Sequence, residues 1–479
     1  MNVPAQAARM GQPRPAQARD KGEARPALSR DKGEITPAQA RDELETSPAL
    51  SRDDGQITPG RDEGGAGHLD LLILGLNYAP ETVGTGRYTA GMAEWLAARG
   101  HRVRVVAAQP YYPAWRVFDG YRRALPRRTR EAGVEVWRCP IHVPRRPGGL
   151  KRLLHHASFA AVAALVLPLA LSRGRPDVVL VIAPSLVSAP VGWLAARVTG
   201  ARAWLHVQDL EVGAALATGL LRAGRIGRIA RAYEGWALRR FDRVSSISAP
   251  MLAQLAAAGV TPARLAEMRN WSDLGPPPPG AEVQALAARL GVAGQDVVLY
   301  SGTLGTKQGL ELLPDLARRL AGRPRFRLLI CGEGPGLAPL RAAVGGLPVT
   351  LCPLQPAADL PALLSLARVH LMPQTAGAAD LVLPSKLANM LASGRPVVAT
   401  AVPGTALAAE VAGCGLVVPP GDGAALADAV AALLDDPARA AAFGAAARRR
   451  AATRWSQDAI LTAFEAELLG TLPATARAP

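Results

Sequence analysis

Short apolar segments alternate with helical patterns along most of the chain, and this alternation restricts the fold more than any other feature. The first segment runs from Leu69 to Leu76, and a loop and a helical pattern from Tyr88 to Arg99 follow it. Further strand-like segments lie at 100–108, 178–183, 203–207, 244–247, 297–300, 327–331, 349–351, 370–372 and 396–399. Such alternation is typical of a mostly parallel sheet with helices on both faces. The sequence therefore predicts an α/β fold.

A proline-rich segment divides this alternation into two halves. Residues 272–280 read Ser-Asp-Leu-Gly-Pro-Pro-Pro-Pro-Gly, which suits neither a helix nor a central strand. A chain of 479 residues with 49% hydrophobic content is long enough for two cores. We expect two Rossmann-like, doubly wound domains at 68–274 and 284–454, which face each other across a central cleft. Residues 455–479 are expected to form a helix that packs back on the first domain, followed by a tail.

The first 67 residues have a different character. Prolines recur every 11 residues from Pro4 to Pro59, and Arg-Asp recurs with the same period. The repeats contain too few large apolar residues to offset the entropy of ordering, and one proline per repeat excludes a continuous helix. We therefore expect residues 1–67 to form a disordered tail.

The net charge of +16 is concentrated in the first folded half, where residues 99–175 contain 16 Lys/Arg against 3 Asp/Glu. Nucleic acid, anionic lipid and phosphorylated substrates are all compatible with such a field. Nucleic acid is the weakest candidate, because no zinc finger, RRM-type aromatic signature or helix-turn-helix accompanies the charge. We expect no nucleic-acid partner.

The four cysteines are Cys139, Cys331, Cys352 and Cys414, and they are widely separated in the sequence. No C-x-x-C pair or histidine cluster accompanies them, so the sequence predicts neither a zinc site nor a disulfide framework. Together with an N-terminus that lacks the pattern of a secretory signal, this favours a cytoplasmic location.

One apolar segment has two open interpretations. Ser158–Leu171 is apolar throughout, but its 14 residues are fewer than the ~20 that span a bilayer. Basic residues precede it, from Arg145 to Arg152. The surface formed by 145–171 could therefore lie on an anionic leaflet at the inner face of the plasma membrane. The alternative is a helix buried in the first domain.

Glycine-bearing turns follow several of the predicted strands. Gly84 and Gly86 lie in the loop after the first strand, where glycine lets backbone approach a ligand and the helix amides behind it favour an anion. In the second half, similar turns lie at 302–309 and 332–335, and Pro384-Ser385-Lys386 opens a helix. Their convergence predicts a nucleotide whose diphosphate meets Lys307 or Lys386.

These motifs resemble those of a known enzyme family. The order of the segments 302–309, 332–335, 359–364 and 383–398 is similar to the donor-binding half of GT-B glycosyltransferases of family 4. Within that family, the segments 77–81, 110–113, 137–140 and 206–209 resemble the colanic-acid biosynthesis glycosyltransferases described as fucosyltransferases. The resemblance covers residues 69–470.

The resemblance implies metal-independent transfer of a sugar, with no cofactor and with retention at the anomeric carbon. The implied donor is a nucleotide-diphosphate sugar, GDP-fucose or another GDP or UDP sugar, and the implied acceptor is a lipid-linked saccharide of exopolysaccharide biosynthesis. It also implies roles for single residues, with His206 near the transferred sugar. Asp209 then either fixes the imidazole tautomer or contacts an acceptor hydroxyl. Donor and phosphate contacts are expected from Gly84, Gly86, Gly302, Thr303, Lys307, Gln308, Gly332, Glu333, Gly334, Ser385, Lys386 and Asn389, and sugar contacts from Asp380 and Leu381.

The chain departs from the family pattern at several of these positions. Thr303 and Gln308 stand where the family usually has Arg and Lys, with Lys307 displaced by one residue. Leu381 and Asn389 stand where the family usually has two glutamates. Asn389 could still bond ribose hydroxyls, because an amide both donates and accepts, and Asp380 could replace the first glutamate.

Two other functions stay open from the sequence alone. One is a nucleotide-sugar epimerase on the same fold. The other is a non-catalytic protein that binds a nucleotide sugar or a membrane, which the missing glutamate pair suggests. The basic and partly apolar surface at 145–171 favours the transferase, because a transferase of this kind needs a lipid-linked acceptor.

Overall fold

The protein is described by a computed structural model of two parallel sheets covered by helices. The described residues are 67–81, 84–145, 148–210, 224–272, 274–305, 308–375, 384 and 386–471. Residues 1–66 of the repeat tail lie outside them, and so do four predicted site residues, namely Lys307, Asp380, Leu381 and Ser385.

The N-terminal sheet has the strand order β3-β4-β2-β1-β5-β6-β7-β8 in the described residues. Its strands are β1 (Asp70–Gly75), β2 (Arg102–Ala108), β3 (Arg127–Glu131), β4 (Val134–Cys139), β5 (Val178–Ala183), β6 (Arg202–Val207), β7 (Arg243–Ser246) and β8 (Leu265–Glu267). Its helices are α1 (Thr85–Ala98), α2 (Gly149–Leu171), α3 (Ala189–Thr199), α4 (Arg225–Leu238) and α5 (Ala249–Ala257). Neighbouring strands are parallel except in the β3–β4 hairpin. The central strands are apolar without alternation because helices cover both faces.

The C-terminal sheet is parallel throughout its described strands, in the order β11-β10-β9-β12-β13-β14. Its strands are β9 (Asp296–Ser301), β10 (Phe326–Cys331), β11 (Val349–Cys352), β12 (Val369–Met372), β13 (Val397–Thr400) and β14 (Gly415–Val418). The helices are α6 (Gly280–Arg289), α7 (Leu312–Arg319), α8 (Leu337–Ala343), α9 (Leu360–Leu366), α10 (Lys386–Ala392), α11 (Ala406–Val411), α12 (Gly423–Asp435) and α13 (Pro437–Arg454). The predicted α/β class is confirmed. The domain limits 68–274 and 284–454 stay predictions.

The last helix, α14 (Gln457–Gly470), packs on the N-terminal sheet. The ring of Phe464 meets Trp204 edge to face at 5.2 Å. The buried carboxylate of Glu465 accepts from Arg99 and lies 2.7 Å from His101 Nε2. Burial raises the pKa of Glu465, but the bonds from Arg99 and His101 outweigh it and lower that pKa overall. Helix α14 is thus part of the N-terminal core.

Helix α2 corrects the length predicted from the apolar run. It has 23 residues, because it begins at Gly149 rather than at Ser158. Phe159, Ala163 and Ala170 are fully buried against the sheet, whereas five leucines are exposed, namely Leu150, Leu153, Leu154, Leu165 and Leu169. In the described part of the chain, α2 is the one helix whose length and hydropathy would let it cross a membrane, and a core helix passes the same test. One face of α2 is core and the other is an apolar surface.

The cysteine prediction is wrong at one pair. Cys331 and Cys352 end β10 and β11 at directly paired positions, with their Cα atoms 4.8 Å apart, and they form a disulfide. The pair was not predicted because parallel register, which the sequence does not show, brings residues 21 positions apart side by side. Cys139 and Cys414 are buried free thiols.

Candidate functional site

A buried glutamate joins the two loops that follow β1 and β2 at the carboxyl edge of the N-terminal sheet. Glu81 Oε1 accepts from the backbone N–H groups of Tyr111 and Tyr112 at 2.8 and 2.9 Å. Its Oε2 accepts from Asn77 Nδ2 at 2.8 Å. Burial raises the pKa of Glu81, although the three hydrogen bonds oppose that rise. We predicted no role for Glu81. The sequence signal that could have indicated a role for Glu81 is its position in a short loop directly after a buried strand.

The two predicted glycines of this region begin α1. Gly84 precedes the helix with φ +64°, a left-handed conformation that favours glycine. Gly86 lies against the glutamate, because a Cβ there would be 2.9 Å from Glu81 Oε2 and 3.3 Å from Tyr78 N. The structure therefore gives Gly86 a packing reason for lacking a side chain. A donor contact at either glycine stays a prediction.

His206 lies inside the sheet near the end of β6 and is fully buried. Its Nδ1 is 2.9 Å from Ser245 Oγ, and the same hydroxyl accepts from Trp204 Nε1 at 2.8 Å. Burial lowers the pKa of His206 to about 3, so the imidazole is neutral at physiological pH. Its Nε2 has no hydrogen-bond partner among the described residues. A neutral imidazole can donate or accept a hydrogen bond, and burial disfavours the charged form that an acid role would need.

Asp209 is not the partner of His206. It lies exposed beyond the end of β6 and borders a small hollow with Leu186 and Leu238. The prediction that Asp209 fixes the tautomer of His206 is therefore wrong, because Ser245 Oγ occupies the position beside His206 Nδ1. Contact between Asp209 and an acceptor hydroxyl stays a prediction.

In the C-terminal half, two glycine turns are joined through their backbones. Leu304 N–H donates to Glu333 O at 2.8 Å, and Gly336 N–H donates to Leu304 O at 2.9 Å. A Cβ at Gly332 would lie 2.1 Å from Gly302 O, and one at Gly334 would lie 2.5 Å from Leu304 O. The glycines after β10 thus allow the turn after β9 to pack against them. Thr303 and Glu333 are exposed beside these turns, and Gln308 packs against Gly305.

Lys386 reaches this pair of turns from the start of α10. Its Nζ lies 4.2 Å from the centre of the Tyr300 ring and 3.4 Å from Ser301 O. A Cβ at Gly302, where φ is +132°, would lie 3.4 Å from Lys386 Cδ. Burial lowers the pKa of Lys386 to about 8. In the described part of the chain, no carboxylate forms an ion pair with this ammonium. A desolvated cation at the carboxyl edge of a parallel sheet favours an anionic ligand.

Asn389 lies one turn further along α10, and the structure places it against the connecting segment. Its Oδ1 accepts from Ser272 Oγ at 2.7 Å. Ser272 in turn donates its N–H to Trp455 O, so Asn389 takes part in the contact between the two halves. The side-chain oxygen of Asn389 is therefore hydrogen-bonded within the protein. A contact between Asn389 and the ribose of a donor stays a prediction.

The matched family models and a curated relative agree on the family. Residues 83–271 match the model described as "Glycosyl transferase 4-like domain", and residues 295–436 match "Glycosyl transferases group 1". The chain is 42% identical over 342 residues to the putative colanic acid biosynthesis glycosyl transferase WcaI of Escherichia coli K12, across 70% of this chain and 83% of that protein. The chain belongs to the family 4 glycosyltransferases. This family 4 glycosyltransferase is therefore an enzyme, and neither the epimerase nor the non-catalytic binding protein is favoured.

Solved structures support the GT-B fold of this glycosyltransferase. Sucrose-phosphate synthase from Thermosynechococcus elongatus aligns with a TM-score of 0.62 at 20% identity, over 83% of this chain and 98% of that one. HepE of Anabaena in complex with UDP and glucose aligns with a TM-score of 0.58 at 17% identity, over 85% of this chain and 100% of that one. Because identity is this low, these likenesses show the fold alone.

Proposed function

We propose that this glycosyltransferase moves a sugar from a nucleoside diphosphate donor to a lipid-linked saccharide, with retention at the anomeric carbon, in exopolysaccharide biosynthesis. The name of the relative WcaI supports the pathway, and the UDP and glucose held by HepE support a nucleotide-sugar donor. GDP-fucose, or another GDP or UDP sugar, is the proposed donor. The proposed place of action is the cytoplasm, at the inner face of the plasma membrane.

One observation carries the donor part of the proposal. The Lys386 ammonium lies beside Gly302 and Ser301, half-buried and without a carboxylate partner among the described residues. A diphosphate there would satisfy the charge through charge-assisted hydrogen bonds. Stabilising the departing diphosphate is the main electrostatic task of the transfer, and we assign that task to Lys386. Lys307 and Ser385 remain proposed phosphate contacts, and Asp380 and Leu381 remain proposed sugar contacts.

The donor site can be tested by binding. A thermal-shift panel of GDP, UDP and dTDP sugars would identify the donor, since a ligand that binds only the native state raises its stability. With that donor, Lys386→Ala is expected to weaken binding by about 1–3 kcal/mol through loss of a charge-assisted phosphate contact. Calorimetric titration of both proteins measures the difference.

Arg341→Ala is the matched control, because Arg341 is an exposed cation of α8 in the same half of the chain. Its donor affinity should equal that of the wild type. Equal affinities for Lys386→Ala and wild type would remove Lys386 from the donor site.

The membrane part of the proposal rests on α2. Its exposed leucines Leu150, Leu153 and Leu154 are interleaved with Lys151 and Arg152, an arrangement suited to the interface of an anionic leaflet. Such a position would bring the enzyme to an acceptor that cannot leave the bilayer. The neighbouring Arg146 lies outside the described residues.

Vesicle sedimentation tests this contact. The protein should pellet with phosphatidylglycerol vesicles at low salt and be released by high salt, and Leu153→Asp with Leu154→Asp should abolish pelleting. Leu354→Asp is the control, because Leu354 is also half exposed but lies in the C-terminal half. Wild-type protein that stays in the supernatant at low salt would disprove the contact.

A further inference from the structure

Two adjacent cavities lie at the carboxyl edge of the N-terminal sheet, beside the ends of β2 and β4. Their volumes are about 770 and 340 Å³, and both are bordered by Gln109, Gly120 and Arg123. The larger cavity has an apolar and aromatic wall that includes Trp115, Phe118 and Ile141. Four of the nine residues that border the smaller cavity are arginines, as are four of the fourteen that border the larger one. None of the roles assigned above uses either cavity.

The smaller cavity has an excess of positive charge. Arg123, Arg127, Arg130 and Arg138 border it, against the single carboxylate of Glu131. Arg127 and Arg138 are directly opposite each other in the antiparallel register of β3 and β4. Like charges at directly opposed positions destabilise a sheet. The protein keeps them together in a place that an anion could occupy.

Arg138 provides a second, independent observation that points to an anionic ligand. Its side chain is only 4% exposed, and its guanidinium lies over the rings of Tyr78 and Tyr121 at 5.2 and 5.6 Å. Nε and Nη2 donate to Glu131 at 3.4 and 2.5 Å. Nη1 is buried and has no hydrogen-bond partner among the described residues. A buried donor without an acceptor is costly, so an external acceptor here would be bound favourably.

The surroundings of the cavities suit a ligand with an apolar end. Trp115, in the wall of the larger cavity, packs against His155 at 5.4 Å and lies under Arg152 at 6.0 Å. Both residues belong to α2, whose exposed leucines begin on the same turns. On the other side, Tyr78 joins Arg138 to the loop that Glu81 holds.

We propose that the smaller cavity binds the diphosphate that joins the acceptor's saccharide to its apolar chain. Arg138 and Arg127 bind the diphosphate, the chain runs past Trp115 toward α2, and the saccharide extends toward the loops after β1 and β2. This inference rests on the proposed lipid-linked acceptor and assigns its anionic group to named residues. It gives the arginine-rich half of the chain a specific ligand chemistry, distinct from the donor diphosphate at Lys386.

Farnesyl diphosphate is a suitable probe, titrated calorimetrically into the full chain, with inorganic pyrophosphate and farnesol as separate arms. We expect farnesyl diphosphate to bind more tightly than either fragment. Arg127→Ala should weaken it about tenfold, as expected for loss of one charge-assisted phosphate contact. Arg128→Ala is the matched control and should change it less than twofold, because Arg128 is the next residue on β3 but lies over Trp137. Arg127 is exposed, so the variant keeps the buried Arg138–Glu131 pair and should fold.

Lys386→Ala separates this site from the donor site. It should lower the affinity for the donor's nucleoside diphosphate and leave the farnesyl diphosphate affinity within twofold, whereas Arg127→Ala should do the reverse. Equal losses in Arg127→Ala and Arg128→Ala would overturn the inference, as would a farnesyl diphosphate affinity that depends on Lys386 alone. Pyrophosphate that binds as tightly as farnesyl diphosphate would show a soluble anion instead and would also overturn it. A further outcome is that no nucleoside diphosphate binds, while Arg127→Ala still weakens farnesyl diphosphate binding and Arg128→Ala does not. The donor proposal would then fail, and the proposed diphosphate site in the smaller cavity would remain supported.

Discussion

The two halves of the molecule form the carboxyl edges of their sheets by different means. In the C-terminal half, backbone hydrogen bonds between glycine turns shape the edge, and one lysine supplies charge. In the N-terminal half, side chains do this work, because Glu81 holds two loops and several arginines border two cavities. A backbone-built site suits a ligand whose diphosphate is common to many donors. A site built from side chains can change with the acceptor while the fold stays the same.

The largest expected effect in this comparison comes from removing the Glu81 carboxylate, which holds together the loops after β1 and β2. Glu81→Ala leaves three N–H donors without their acceptor, each costing about 1–3 kcal/mol. We expect transfer to fall at least a hundredfold, with loss of thermal stability as the two loops separate. Steady-state kinetics and differential scanning calorimetry measure both effects.

Glu81→Gln is the conservative counterpart. The amide oxygen can accept from Tyr111 and Tyr112, and Asn77 can turn its own oxygen toward the new NH₂ group. Most of the activity should return. If Glu81→Gln is as inactive as Glu81→Ala, the negative charge of Glu81 is itself required. The explanation that Glu81 acts by accepting hydrogen bonds from the two loops would then be wrong.

The corresponding change in the C-terminal half adds a methyl group between the glycine turns that follow β9 and β10. Gly332→Ala places a Cβ 2.1 Å from Gly302 O, so one turn must move. Overpacking of this kind costs about 1–3 kcal/mol. We expect a loss of stability of that size together with weaker donor binding, measured by denaturant unfolding and by calorimetry.

Gly345→Ala is the matched control, since a Cβ there meets nothing within 4 Å. Its stability and donor affinity should match the wild type. Donor affinity that survives in Gly332→Ala would mean that the turns after β9 and β10 do not bind the donor.

The smallest expected effect is the pH dependence of donor binding. Because burial lowers the pKa of Lys386 to about 8, the ammonium is present below that pH and is lost above it. Donor affinity should be level at neutral pH and fall by up to about tenfold per pH unit above 8, since only the charged form attracts the diphosphate. Lys386→Arg should move the fall to higher pH. A profile that is unchanged by this substitution would assign the titration to another group.

The sequence predicted more of the fold than of the site. Apolar segments such as Leu71–Leu74 show buried strands directly, because both faces of a parallel sheet are covered. The β3–β4 hairpin was missed, since β3 reads Arg-Arg-Thr-Arg-Glu and is largely exposed at the sheet edge. The start of α2 was also missed, because basic residues and exposed leucines occupy its first turns.

The geometry of the site depends on the face of the sheet on which each side chain lies and on the register of neighbouring strands. Local sequence specifies neither. His206 and Asp209 are three residues apart, yet one is buried beside Ser245 and the other is exposed past the strand end. The arginine cavity depends on Arg127 facing Arg138 across a hairpin that periodicity does not reveal. The prediction for Lys386 rests on a local signal, because it closely follows a proline at a predicted helix start.

Transfer of labelled sugar into lipid tests the central claim most directly. The protein is incubated with the radiolabelled donor found by thermal shift and with membranes from cells that make the polysaccharide. The products are separated into organic and aqueous phases, and the anomeric configuration of the transferred sugar is determined by NMR. We predict label in the organic phase with the donor's anomeric configuration, and little label there with Lys386→Ala. Label that stays in the aqueous phase as an altered nucleotide sugar would contradict the account and support an epimerase.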